Sequence, residues 1–331
     1  MNEVGLEPTT TLADVGGPHT DGVRLIVCDE RSGMMASADL GMNFVLWRDS
    51  YPIAKLELAN YDEADTYVDR ILAAKFSPSS PRVFVACSSE VLAINTETCK
   101  LEWVYRPERV FGFWRSVPLA IEVMPSGKLL VASTVGNFNI IDENGKSEAE
   151  WRDSNAPQAM AMLPDGNTIL GTDGHTMRTW SISDRKSTDG VEGGEDIITL
   201  QLSPLDDYAI VRKDNHCKRF DVASKKFTDR IDLAPAIPAL AIRQDGQEVA
   251  ILEDGGVTKT DAFLRRIAQY RPAGYDQPEG AVNWTQPPTV GMADEDSTES
   301  AKPRVISTTF EPQTGNVLMG MDTGEILTWL R

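Results

Sequence analysis

Eleven residues, RPERVFGFWRS (106–116), set Arg106, Arg109 and Arg115 among Phe111, Phe113 and Trp114, with Glu108 as the one opposing charge. Guanidinium groups pair with carboxylates or phosphates and stack on rings, while large aromatics bury contact area. That mixture suits the binding of a partner better than the making of bonds. It stands out because the whole chain carries 32 Lys+Arg against 50 Asp+Glu, a formal charge of −18. The stretch ELANYDEADTYVD (57–69) has the opposite character, acidic with Tyr61 and Tyr67. It either neutralises the arginines or forms with them a surface of two signs.

Residues suited to catalysis are sparse. Three histidines (His19, His175, His216) and four cysteines (Cys28, Cys87, Cys99, Cys217) form no CxxC pair, and His216-Cys217 lacks the further ligands that a zinc site needs. No Walker loop, GxSxG elbow or HExxH motif occurs. Asp-rich turns such as EDGG and PLDD read as side chains bonding their own backbone. No cofactor or metal is called for.

The bulk numbers exclude further classes. An acidic surface repels nucleic acid and anionic membrane, and no apolar run approaches the roughly 20 residues of a spanning helix. MNEVGLEPTT has no secretory character, and scattered thiols fit a reducing compartment. The expectation is a cytoplasmic protein, monomeric on its own.

The elements that position these residues follow from a repeat. Turn signals recur at DERSG (29–33), SPSS (77–80), MPSG (124–127), LPDG (163–166), SPLDD (203–207), RQDG (243–246) and EPQTG (311–315). Before each, apolar residues alternate with a period of two, as in a half-buried strand. This period places Leu119, Ile121 and Val123 on one face, and Ile198, Leu200 and Leu202 on another. Phe76, Val123, Met162, Leu202 and Ile242 stand 47, 39, 40 and 40 residues apart. After each turn come a second strand, a tight turn and a third strand ending in a bulky residue: Trp47, Ile94, Ile141, Trp180, Phe220 or Trp329, with Thr260 in the sixth copy. A fourth strand is readable in CKLEWVY (99–105) and KKFTDRIDL (225–233). Seven units of four short antiparallel strands predict a seven-bladed β-propeller of all-β class, each blade stacked on its neighbours.

The stretch 9–49, with His19 before the strand VRLIV, an RSG turn, MMASA and a third strand closing on Trp47, resembles a WD40 unit, and Phe220-Asp221 stands where that family has Trp-Asp. No Trp-Asp dipeptide itself appears. The resemblance implies closure of the ring by an N-terminal strand (9–15) completing the last blade. It also implies a structural hydrogen bond for His19 and a top rim formed by the links between blades. The expected blades are 20–58, 70–108, 118–153, 158–195, 197–234, 237–273 and 304–331, with an acidic Pro/Gly-rich insertion at 274–303 containing Trp284. One copy, EVLAINTETCKLEWVYRPE (90–108), is similar instead to the repeat of quinoprotein-type propellers.

The expected function is a non-catalytic protein-interaction scaffold. Its top rim binds an acidic or phosphorylated protein or peptide through Arg106, Arg109, Phe111, Phe113, Trp114 and Arg115, with Tyr61 and Tyr67 nearby. The alternative is a quinoprotein-like or metal-dependent enzyme with its site in the central channel.

Overall fold

The computed structural model describes residues 19–29, 31–48, 51–58, 70–107, 109–110, 114–155, 157–188, 190–193, 197–213, 215–234, 239–253, 256–270 and 304–329. These form a β-propeller of seven antiparallel sheets in a ring. Their innermost strands are Val23–Cys28, Ile71–Phe76, Pro118–Val123, Ala159–Met162, Thr199–Leu202, Leu240–Ile242 and Val305–Phe310. Each pairs with the next strand in sequence, and pairing proceeds outward to a fourth strand in six of the sheets. The seventh has three among the described residues, ending at Ile326–Trp329. The closing strand expected at 9–15 and the 274–303 insertion lie outside the described residues. No helix among the described residues is long and apolar enough to cross a membrane.

Stacking buries what a lone sheet would leave wet. One core joins Phe44, Leu46 and Leu56 of blade 1 to Val83, Val85 and Leu92 of blade 2, and similar cores follow around the ring. Burying a side chain of this size contributes about 1.5–3 kcal/mol. Val23, Ile26 and Leu318 form the core between the last blade and the first. There Ser307 donates to the Val23 carbonyl at 2.6 Å, and the Gly320 backbone approaches so closely that a Cβ would lie 2.5 Å from the Val23 oxygen.

Antiparallel pairing puts the a–b turns (first to second strand) on one face, the underside. The b–c turns and the links between blades share the other. On the underside, adjacent a–b turns lean on one another. Arg31 donates to the carbonyls of Ser77 and Pro78 in the next blade's turn. A Cβ on Gly127 would meet Ser79 Oγ at 2.6 Å, and one on Gly33 (φ +67°) would meet Gln313 Nε2 at 2.3 Å. Only glycine combines that left-handed backbone with so close a neighbour. Outside, Trp103 staples blade 2 to blade 3: its Nε1 donates to the Glu143 carbonyl at 3.0 Å and its ring lies against Gly145.

Two faces differ from the period-two reading. A β-bulge between Pro118 and Ala120 removes Leu119 from the face of Ile121 and Val123, which pack into the blade 2–3 core. Ile198 is 40% exposed, whereas Leu200 and Leu202 are in the core, because the strand starts only at Thr199.

Candidate functional site at the channel mouth

Blade 1 carries a buried polar network beside the link face. His19 Nε2 lies 2.6 Å from Ser37 Oγ, and Trp47 Nε1 donates to the same oxygen at 2.7 Å. His19 Nδ1 faces Asp39 Oδ2 at 3.3 Å, and Asn43 donates to Asp39 through its backbone N–H at 2.8 Å and its amide at 2.7 Å. Burial alone would push the Asp39 carboxyl up; the hydrogen bonds from His19 and Asn43 outweigh it and hold the group below its ordinary value. His19 thus has the structural role expected of it. The same register in the other blades is not built to repeat it. Gly171 stands where Ser37 would be in blade 4, and a Cβ there would lie 3.0 Å from the Trp180 ring. Blades 2, 3 and 5 have Val85, Val131 and Val211 at that register.

Among the described residues, acids at or beside the b–c turns of blades 2, 4, 6 and 7 are likewise held by the protein's own groups. Glu90, buried, pairs with Arg106 at 3.1 Å. Asp173 pairs with Arg178 at 3.0 Å. Glu253 accepts from both terminal nitrogens of Arg266 at 3.0 Å, from the Ala234 N–H at 3.0 Å and from Thr258 at 2.5 Å. Burial would raise Glu253, and these donors together lower it. Asp322 accepts the Arg304 backbone N–H at 2.8 Å.

The arginines of the mouth are not so engaged. Arg70 and Arg304 stand immediately before the inner strands of blades 2 and 7, both exposed, and Arg24 is the second residue of blade 1's inner strand, half-buried. Among the described residues none of the three side chains has an ion pair or a hydrogen bond. Burial and the neighbouring charge of Arg70 lower the Arg24 pKa.

A second asymmetry coincides with them. Inner-strand registers shift at Val305/Ser307, Val23/Leu25, Ile71/Ala73 and Pro118/Ala120, in four consecutive blades. The inner strands of blades 4, 5 and 6 pair without a shift. The extra residues are Ile306, Arg24, Leu72 and Leu119, one per bulge. Val23 and Ile26 pack toward blade 7, and Leu25 and Val27 toward blade 2, so Arg24 lies between the two cores on the edge beside the axis. Bulges commonly re-aim a side chain at barrel rims and binding sites.

The rim segment read from sequence is placed in part. Arg109–Val110 and Trp114–Arg115 pair as a two-stranded ribbon on the blade 2–3 link, with Arg109 opposite Arg115 and Val110 opposite Trp114. Arg106 precedes it, half-exposed and tied to Glu90. Phe111, Phe113, Tyr61 and Tyr67 lie outside the described residues. Sequence reasoning missed Arg24, Arg70 and Arg304. Their signal was a charge inside the apolar run VRLIVC and basic residues ending two acidic links.

The underside and channel carry pairs of ordinary structural type, such as Lys75 with Glu122 at 2.8 Å on adjacent inner strands. Among the described residues no group of three or more His, Cys, Asp and Glu is arranged to hold a metal ion. A search of protein-family models finds no match to the chain, and no curated protein matches it.

Proposed function

We propose that the chain is a WD40-type propeller acting as a non-catalytic scaffold that binds an acidic or phosphorylated protein segment on its link face. The WD40 assignment is supported by the His19–Ser37–Trp47–Asp39 network, which joins the residue types that the family resemblance implies in blade 1. The binding reading is carried by one observation. The described acids Glu90, Asp173 and Glu253 at the b–c turns are held by the protein's own donors, while Arg24, Arg70 and Arg304 have no ion pair among the described residues. A chain of net charge −18 therefore presents cations around its channel mouth. Arginine beside aromatic and aliphatic side chains is the composition of interface hot spots.

The test is capture of a partner by the full chain, compared with a Phe113→Ala/Trp114→Ala/Arg115→Ala variant whose melting temperature matches wild type. Loss of a captured protein in the variant supports the rim as its site. Equal capture by both sinks the rim segment as the contact.

A further inference from the structure

We propose that Arg24 and Arg70, with Arg304 beside them, form a subsite for a phosphate dianion, carried on a phosphorylated side chain or free. The inference rests on the reading of the link face as a binding surface and names the chemistry of its anchor. Three observations carry it. The inner strands of blades 7, 1 and 2 are adjacent in the ring, so the three arginines belong to one arc of the link face, and Arg24 feels the charge of Arg70. None has an ion pair or side-chain hydrogen bond among the described residues, and two described acids of the same arc are engaged locally: Asp21 accepts the Gly22 N–H and Asp322 the Arg304 N–H. The bulges put apolar Ile306 and Leu72 at the register of Arg24 in the flanking blades 7 and 2, and Leu119 there in blade 3, so the arc carries apolar residues beside its charges.

Two like charges on adjacent strands repel, and removing one of them from water makes the repulsion stronger. A carboxylate cancels one charge; a phosphate dianion cancels both and offers three oxygens to planar donors. The lowered pKa of Arg24 agrees with a cation waiting for its counter-ion.

The experiment titrates the full chain with phenyl phosphate, inorganic phosphate and benzoate at constant ionic strength. The proteins are wild type, Arg24→Gln/Arg70→Gln, and Arg185→Gln as an exposed arginine elsewhere. Phenyl phosphate is expected to bind wild type and Arg185→Gln at least tenfold more tightly than benzoate, and the double variant is expected to lose that difference. Phenyl phosphate tighter than inorganic phosphate assigns the site to a phosphorylated side chain; equal or weaker binding assigns it to the free anion. Equal affinity for phenyl phosphate and benzoate in wild type, or unchanged phosphate affinity in the double variant, overturns the proposal. The double variant should also melt no lower than wild type, since a repulsion has been removed; a fall of more than a few degrees marks the arginines as structural and overturns it too. Partner capture that depends on Phe113 and Trp114 but not on Arg24 and Arg70 leaves the rim reading standing while this subsite falls.

Discussion

Ser307 donates a 2.6 Å hydrogen bond to the carbonyl of Val23, joining residues 284 positions apart in the chain. The bond sits where the last inner strand meets the first, so it reports ring closure directly. Ser307→Ala removes one buried hydrogen bond, and a loss of about 1 kcal/mol is expected. Gly320→Ala is the harsher test, because its Cβ would lie 2.2 Å from Ser307 Oγ and 2.5 Å from the Val23 oxygen. A loss of about 2–4 kcal/mol in urea denaturation is expected from such overpacking. A Gly320→Ala protein as stable as wild type would refute the close approach of blades 7 and 1.

The blade 1 network makes a separate prediction. Ser37 serves both His19 and Trp47, so Ser37→Ala leaves two buried groups without their partner. The expected loss is about 2–4 kcal/mol, since each unsatisfied buried group costs about 1–3 kcal/mol. Val85→Ala in blade 2, at the same register, removes only apolar contacts and should cost less. Double-mutant cycles with Trp47→Phe should show coupling for Ser37.

Blade 5 predicts a dependence on pH. His216 is buried at the start of its strand, and burial, with Arg230, Lys218 and Lys213 nearby, pushes its pKa down to about 4, Asp232 opposing. In the unfolded chain it titrates near 6.5. The unfolded state therefore binds the extra proton between those values, and stability falls as pH drops from about 6.5 toward 4. The contribution is of order 2–3 kcal/mol, fully present above pH 7. Melts of wild type and His216→Asn at pH 7.5 and 5 should differ in slope, with the variant less sensitive. Parallel slopes would show that His216 is not held neutral.

Closure by the N-terminal segment is tested by deletion. The outermost described strand of blade 7, Ile326–Trp329, pairs on one side only among the described residues. Removing residues 1–16 is expected to lower the melting temperature by several degrees and to promote association through that edge. An unchanged melting temperature and a monodisperse product would count against the strand at 9–15.

Much of the fold was legible because a blade is a local object. The turn glycines and the bulky ends of third strands recur at near-constant spacing, and Trp47, Trp180 and Phe220 each stand one residue before the end of a third strand. Leu119 was misplaced because a bulge adds one residue without leaving a mark in an apolar run, and every residue before it changes face. The site was less legible for the same reason at a larger scale. Arg304 joins the arc of Arg24 and Arg70 only when the last blade meets the first, so no window of sequence contains all three. The ribbon at 109–115 was visible as composition, whereas its pairing of Arg109 with Arg115 depends on register.

The leaning turns of the underside carry a topological lesson. Turn-to-turn contacts join blade 1 to 2 through Arg31, 2 to 3 through Ser79 and Gly127, and 7 back to 1 through Gln313 and Gly33. Such a cycle has no privileged beginning. The chain could be cut at a link, for instance between Gly193 and Ile197, and residue 331 joined to residue 1, with every one of these contacts intact. A cut in the turn at Pro125–Gly127 would instead break two of the cycle's joints at once, since Gly127 rests on Ser79 while Pro125 supports Gly166. Tolerance of circular permutation should therefore divide by face: permissive where the blades are linked, and poor where they lean.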